Sequence, residues 1–167
     1  MQIAETKKIS VEEHIVASAL TVLTNHTISG TRMHLIAEEA GIVASNIHYY
    51  FKTKKDLLYA VLAEIQRRSS ARRELIMAQV EPSLKGKLSG FFTSKQILIE
   101  EDRECDISQF DFWVQGLAAD AELKQRFQRS LAIWRSDIMQ VLDEFMPDME
   151  KSKKDLLTYI MVSMMMG

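Results

Sequence analysis

The sequence has few of the residues that disulfides, tight turns and membrane spans require. Its 167 residues include one cysteine, Cys105, so no disulfide can form within the chain, and a lone thiol fits a reducing cytoplasm. Six glycines and two prolines are few for a sheet protein, but they suffice for helices joined by short loops. The longest apolar run, Leu156 to Met166, has about half the length that a bilayer span needs. We therefore expect a cytoplasmic protein with no membrane partner.

Strong net charge and catalytic motifs are also missing. The net charge is −2, so any attraction to nucleic acid must come from a local patch. The four histidines lack the spacing of zinc ligands, and no metalloprotease, nucleophile-elbow or phosphate-binding glycine motif occurs. We therefore expect no enzyme activity, no cofactor and no metal site.

Helical patterns recur along the chain. Ser10 and Glu13 have the spacing of a capping box, and apolar residues then follow with helical period as far as "NHTISG". There Asn25 can adopt the left-handed conformation that ends a helix. Further helices are predicted near residues 31–40, 44–50, 54–80, 84–101, 106–118, 120–145 and 151–166. No strand pattern competes with them, so we expect an all-α fold.

Two of the short helices flank a tight turn within residues 31–58, "TRMHLIAEEAGIVASNIHYYFKTKKDLL". Ala37 and Ala40 permit close helix packing, Gly41 permits a sharp reversal, and Ile42 can fill the small core. This order is typical of a helix-turn-helix, whose second helix can enter the DNA major groove.

The same residues resemble the DNA-binding motif of the TetR (tetracycline-repressor-like) family of bacterial transcriptional regulators. The pattern matches at Ile36, Ala37, Ala40, Gly41, Phe51, Lys54 and Leu57, and it departs at Val43, Ser45 and His48. The resemblance implies a helix-turn-helix DNA-binding domain over residues 1–53. It also implies a helical effector-binding and dimerisation domain over residues 54–167, with the helix from residue 54 connecting the two.

The candidate DNA contacts surround this motif. Ile47 and Phe51 share one face of the third helix, which leaves Ser45, His48 and Tyr49 on the outer face, where they can meet phosphates or base edges. Lysines beside the next helix start add local positive charge. Arg32, His34 and Asn46 are equally compatible with plain solvent exposure. The full set is Thr31, Arg32, His34, Ser45, Asn46, His48, Tyr49, Lys52, Lys54 and Lys55.

The C-terminal region is rich in aromatic residues that serve either a core or an effector pocket. The pocket candidates are Phe91, Phe92, Phe110, Trp113 and Trp134. An inward-facing acid among Glu101, Asp106 and Asp111 would favour a cationic ligand, although solvated surface acids are more common. Acids on either side of Cys105 (Glu104 and Asp106) should raise its thiol pKa, which argues against a redox sensor.

The last segment, "DLLTYIMVSMMMG", is apolar nearly all round, so it is either a central core helix or a homodimer interface. The interface candidates are Leu156, Tyr159, Ile160 and Met164. The sequence ends within this run, which is consistent with a further helix beyond residue 167.

Together these features predict a sequence-specific transcriptional regulator at the bacterial nucleoid. We expect a homodimeric repressor that binds a palindromic double-stranded operator and is released by a small-molecule effector. Activation instead of repression stays open. The alternative is a helical protein-interaction adaptor that binds no DNA.

Overall fold

The computed structural model describes residues 10–116 and 120–166. Within these ranges every regular element is helical and no strand occurs, which confirms the predicted all-α class. The chain divides into two compact units at residues 64 and 65. The domain division predicted at residues 53 and 54 stays a prediction. Expectations about residues 1–9, and about the end of the helix predicted over 106–118, fall outside the described residues.

The N-terminal unit contains α1 (Val11–Gly30), α2 (Met33–Glu39), α3 (Ala44–Tyr50) and the first turns of α4 (Lys54–Gln79). One apolar core holds them together, because side chains from all four helices are buried in it. Its fully buried members are Ile15, Leu20, Leu23, Ile36, Ile47, Leu57 and Val61.

Two predicted capping boxes form. The Ser10 hydroxyl accepts from the Glu13 amide at 3.1 Å, and the Glu13 carboxylate accepts from the Ser10 amide at 2.8 Å. At the start of α4, Asp56 takes the same part: its carboxylate accepts from the Thr53 amide at 2.9 Å while its own amide donates to the Thr53 hydroxyl. These contacts depend on residues three apart, so the sequence alone predicts them.

The break at the end of α1 lies at Thr27, and the expectation that Asn25 makes it was wrong. Thr27 has φ 59° and ψ 172°, whereas the Asn25 amide group donates back to the Thr21 carbonyl within the helix. This backbone region is populated almost only by glycine, so a β-branched residue there is strained. The break lets the Thr31 amide bond to the Thr27 carbonyl and redirects the chain into α2.

The turn between α2 and α3 follows the predicted design. Gly41 has φ +64°, and its amide donates to the Glu38 carbonyl while the Ile42 amide donates to the Ala37 carbonyl. These two bonds make a Schellman motif, which uses the freed carbonyls at the helix end. Gly41 therefore sets the direction in which α3 leaves.

The C-terminal unit contains the rest of α4, then α5 (Leu84–Glu101), α6 (Arg103–Asp111), α7 (Ala121–Phe145) and α8 (Lys151–Met166). A short π-helical turn, Phe112–Gly116, follows α6. Helix α6 starts earlier than predicted because the Asp102 carboxylate accepts from the Cys105 amide and caps it. The buried aromatic core is Phe91, Phe112, Phe127 and Trp134.

Ion pairs that involve a buried lysine join helices in this unit. The Lys95 ammonium on α5 bonds to the Asp106 carboxylate on α6, and both side chains are largely buried. On α8, Lys154 is 5% exposed and donates to the exposed Asp143 carboxylate of α7 at 2.8 Å. Such pairs fix the relative position of helices, since a lysine charge left alone in the interior is costly.

Within the described ranges, no helix is both long enough and apolar enough to cross a bilayer.

Candidate nucleic-acid interface and effector cleft

Helix α3 presents nearly all of its side chains to solvent. Of its seven residues only Ile47 is buried, and Ile47 with Phe51 anchors the helix to the core, as the spacing predicts. Ser45, Asn46, His48 and Tyr49 are all exposed, and Tyr49 is 74% exposed. A helix this short gains little stability by itself, so this surface depends on the packing beneath Ile47.

An aromatic and cationic cluster ends α3. The rings of Tyr49 and Tyr50 meet edge to face with centroids 5.1 Å apart. The Lys52 ammonium lies 5.8 Å from the Tyr49 centroid and donates to the Tyr49 carbonyl at 3.3 Å. Tyr50 is 41% exposed and belongs to this surface.

The local charge here is positive. Residues 42–55 carry three lysines and no acidic residue, although the whole chain is slightly negative. Lys52 and Lys55 are exposed, and the Lys55 ammonium lies 5.5 Å from the Tyr59 ring. A short stretch of net positive charge attracts phosphate within about one Debye length, roughly 8 Å at physiological salt.

Thr31 lies inside the unit and is 1% exposed. Its hydroxyl donates to the Thr27 carbonyl at 2.7 Å. The side chain proposed as a DNA contact is therefore buried and already hydrogen-bonded within the protein. Its exposed neighbour Arg32 folds its guanidinium onto the Thr31 carbonyl at 3.0 Å and onto the Ser29 carbonyl. His34 is exposed on α2.

Lys54 is half-buried and its ammonium donates to the Ile28 carbonyl. This contact joins the start of α4 to the segment before α2, so Lys54 supports the geometry of the motif. The residues that keep exposed side chains beside α3 are Arg32, His34, Ser45, Asn46, His48, Tyr49, Lys52 and Lys55.

The C-terminal unit contains a cleft with an empty volume of about 340 Å³, which includes space open to solvent. Two of the predicted pocket aromatics, Phe91 and Trp134, line it. Phe92 and Trp113 are 37% and 40% exposed instead, and Phe110 packs 6.3 Å from Trp113. None of these three lines the cleft. The other lining residues are Ser69, Arg72, Arg73, Ser94, Lys95, Leu98 and Met165.

Sequence reasoning missed the cations of this cleft, since charged residues in helical segments usually face solvent. Arg73 and Lys95 are each 8% exposed, and Arg73 bonds to Asp137 at 2.9 Å. Asp106 is engaged by Lys95, and Asp111 accepts from Gln115, so two of the acids considered for a cationic ligand have partners here.

Cys105 is fully buried, and its pKa is raised to about 12. Burial is the largest cause and the Asp102 carboxylate the next, while the Arg68 guanidinium, 3.9 Å from the sulfur, acts in the opposite direction. The predicted direction is therefore confirmed, but the cause is burial and Asp102 instead of the flanking acids. A thiol in this state is a poor nucleophile.

Helix α8 has two apolar faces. Met161, Val162, Met165 and Met166 are buried, whereas the predicted interface residues Leu156, Tyr159, Ile160 and Met164 are 45–66% exposed. Positions 156, 160 and 164 follow the four-residue spacing of one helix face. The Arg135 guanidinium of α7 covers the Tyr159 ring at 4.1 Å. A contiguous apolar stripe of this kind is typical of an interface.

Residues 15–61 match the profile of the bacterial regulatory proteins of the tetR family. The HTH-type transcriptional repressor KstR2 of Mycolicibacterium smegmatis is 26% identical over 153 residues, covering 83% of this chain and 69% of that protein.

Two solved structures show that the likeness extends over the whole fold. A TetR transcription regulator from Haloarcula marismortui has a TM-score of 0.81 at 17% identity, covering 93% of this chain and 81% of that one. FadR from Bacillus subtilis, solved with stearoyl-CoA, has a TM-score of 0.76 at 19% identity, covering 92% of this chain and 82% of that one.

Proposed function

Because this chain belongs to the tetR family of bacterial regulatory proteins, we propose that it is a dimeric transcriptional repressor that a small-molecule effector releases from a palindromic operator. The observation that carries the proposal is the exposed polar face of α3 beside the exposed lysines Lys52 and Lys55. In this proposal it acts on DNA in the cytoplasm, at the nucleoid, and not as an enzyme.

In this proposal α3 enters the major groove. Tyr49 and His48 contact sugars, thymine methyls or base edges, and the amide of Asn46 is able to pair with adenine. Lys52, Lys55 and Arg32 contact phosphates, which position the protein without reading sequence. Ser45, where the family pattern has glycine, supplies a hydroxyl that can bond to the DNA sugar–phosphate backbone.

The dimer brings two copies of α3 onto one DNA face. The exposed stripe of Leu156, Tyr159, Ile160 and Met164 supplies a self-complementary surface, as a two-fold interface requires. Two half-sites about one helical turn apart, roughly 34–36 Å, then match the pair of recognition helices. An operator of this kind reads as a palindrome.

The effector acts through the C-terminal unit. FadR from Bacillus subtilis, which has a similar fold, was solved with stearoyl-CoA, which supports a small-molecule effector for this protein. Binding in the cleft beside Phe91 and Trp134 favours a dimer geometry in which the two α3 helices no longer match the operator spacing. The coupling free energy for such regulation is typically about 1–3 kcal/mol.

Fluorescence anisotropy with DNA from immediately upstream of the coding sequence tests the DNA role. Binding about 10³-fold tighter than to scrambled DNA of the same composition supports a sequence-specific regulator. Salt-dependent but equal binding to both supports a DNA role with its operator elsewhere. A folded dimer that binds neither DNA at low salt contradicts the proposal and favours the adaptor.

A further inference from the structure

The effector cleft is lined by three cations and by no acidic side chain. Arg73 and Lys95 are each 8% exposed, and the half-buried Arg72 donates to the Ile97 carbonyl at 3.4 Å. The remaining wall consists of two serines, Ser69 and Ser94, and of the apolar residues Phe91, Leu98, Trp134 and Met165.

The carboxylates that pair with these cations are not among the residues that line the cleft. Asp106 pairs with Lys95 and Asp137 pairs with Arg73, which leaves Arg72 as the excess positive charge of the group. An ammonium has three donors and a guanidinium five. Each buried cation therefore has donors beyond those its carboxylate partner uses.

Ser69 supplies an independent sign of a ligand. Its side chain lines the same cleft, the residue is 8% exposed, and its buried hydroxyl has no hydrogen-bond partner. Leaving a buried hydroxyl without a hydrogen bond costs about 1–3 kcal/mol. Such groups are rare in folded proteins, and a bound ligand is one explanation for them.

Ser69 and Trp134 also line a second cleft, with an empty volume of about 270 Å³ that includes open space. Two further buried atoms without partners lie among its lining residues, the Gln66 amide nitrogen and the Gln109 amide oxygen. One is a donor and the other an acceptor, so together they suit a neutral group that both accepts and donates, such as a hydroxyl.

We propose that the effector is an organic anion with an apolar body and a hydroxyl or similar neutral group. Its acidic group meets the Ser69 hydroxyl, Arg73 and Lys95, its apolar body packs on Phe91 and Trp134, and its neutral group pairs with Gln66 and Gln109. This deepens the proposed function and rests on it, because it names the chemistry of the effector.

Isothermal titration calorimetry with three eight-carbon probes tests the charge preference. Octanoate, octanol and octyltrimethylammonium share a chain and differ in the head group. We expect octanoate to bind at least about tenfold tighter than either of the others, since a hydrogen bond to a charged group is the stronger kind. Equal binding of all three, or preference for the cation, overturns the inference.

The double substitution Lys95→Met with Asp106→Asn removes the charge without leaving a lone buried carboxylate. We expect it to reduce octanoate affinity about tenfold and to leave octanol unchanged. The matched control is Lys85→Met on the same helix, which removes an exposed lysine outside the cleft and leaves octanoate binding intact. Equal loss of octanoate and octanol in the double variant contradicts recognition of the charge.

A second pair of probes tests the polar end. The inference predicts that 8-hydroxyoctanoate binds tighter than octanoate, and that Gln109→Leu abolishes this advantage. If octanoate binds as tightly as 8-hydroxyoctanoate, the inference that the effector carries a neutral polar group is contradicted.

Ser69→Ala separates recognition from folding. Because the hydroxyl has no partner in the ligand-free protein, the substitution should leave the melting temperature unchanged or raise it while weakening octanoate. A lower melting temperature with unchanged octanoate affinity assigns Ser69 to the fold alone and contradicts its role here.

The same preparations are also tested for DNA binding. If no probe binds but the protein still binds DNA sequence-specifically, the effector inference fails while the regulator stands. If DNA binding is absent as well, the proposed function fails with it.

Discussion

The ammonium of Lys54 donates to the carbonyl of Ile28, 26 residues earlier in the chain. This bond connects the first turn of α4 to the segment that redirects the chain into α2. A lysine that the sequence places at a helix start, where phosphate binding is favoured, therefore also holds the helix-turn-helix together.

Lysine substitutions separate these two roles. Lys54→Ala should lower the free energy of unfolding by about 1 kcal/mol and weaken DNA binding, because it removes the Ile28 contact. Lys52→Ala should leave stability unchanged and reduce the salt slope of DNA binding by about one, because the Lys52 side chain is exposed. Urea unfolding and anisotropy at several salt concentrations measure both quantities. Lys85→Ala, an exposed lysine on α5, serves as the control, and the assignment is contradicted if Lys52→Ala and Lys85→Ala have the same salt slope.

The strained backbone at Thr27 predicts an inversion of the usual helix preference. In an ordinary helix interior glycine is less stable than alanine by about 1 kcal/mol. At φ 59° and ψ 172° the Cβ atom is unfavourable. The Thr27→Gly variant should therefore have a free energy of unfolding about 1–2 kcal/mol higher than the Thr27→Ala variant. Urea denaturation of the two variants decides this, and an alanine variant as stable as the glycine variant shows that the position is unstrained.

The stripe on α8 predicts a dimer that one charge disrupts. Ile160→Asp places a carboxylate at the proposed two-fold interface, so we expect a folded monomer at concentrations where the unchanged protein is dimeric. Sedimentation velocity measures the state, and circular dichroism checks the helix content. Leu75→Asp is the control, because it changes an exposed apolar residue on another helix. A dimer that survives Ile160→Asp as well as it survives Leu75→Asp contradicts the interface.

Cys105 predicts a loss of stability at alkaline pH. Its pKa is about 12 in the folded protein and near 9.0 in the unfolded chain, so the folded protein holds the thiol proton more tightly. The stabilisation from the protonated thiol is fully present below pH 9. It is lost as pH rises from 9 towards 12, and the loss reaches about 1 kcal/mol at pH 10.

Other groups also titrate in this range, so the comparison is with Cys105→Ala. Urea unfolding of both proteins at pH 7.5 and pH 10 should show the larger loss in the protein that retains the thiol. Equal losses in the two proteins contradict the assignment.

The parts of the fold that depend on near neighbours in sequence were predictable. The capping boxes at Ser10 and Thr53 and the turn at Gly41 each involve residues three to five apart, and the structure has all of them. The outward direction of Tyr49 followed from the four-residue spacing of Ile47 and Phe51.

The parts that depend on distant packing were not predictable. Thr27 adopts a conformation that threonine seldom takes, so the identity of the residue does not predict it. Likewise, nothing local distinguishes buried Lys95 from exposed Lys85, because the burial of Lys95 depends on α6 and its Asp106. The cationic character of the cleft is therefore visible only in three dimensions.

Selection of binding sites from a random double-stranded DNA library tests the central claim most directly, because it requires no knowledge of the operator. The unchanged protein should enrich a palindrome whose half-sites lie about 10–10.5 base pairs apart, or a multiple of that spacing. Tyr49→Ala should bind the enriched site about 1–3 kcal/mol more weakly, whereas Leu75→Ala should bind it normally. No enrichment by a folded dimer, or equal binding by Tyr49→Ala, would contradict the account of α3 as a recognition helix.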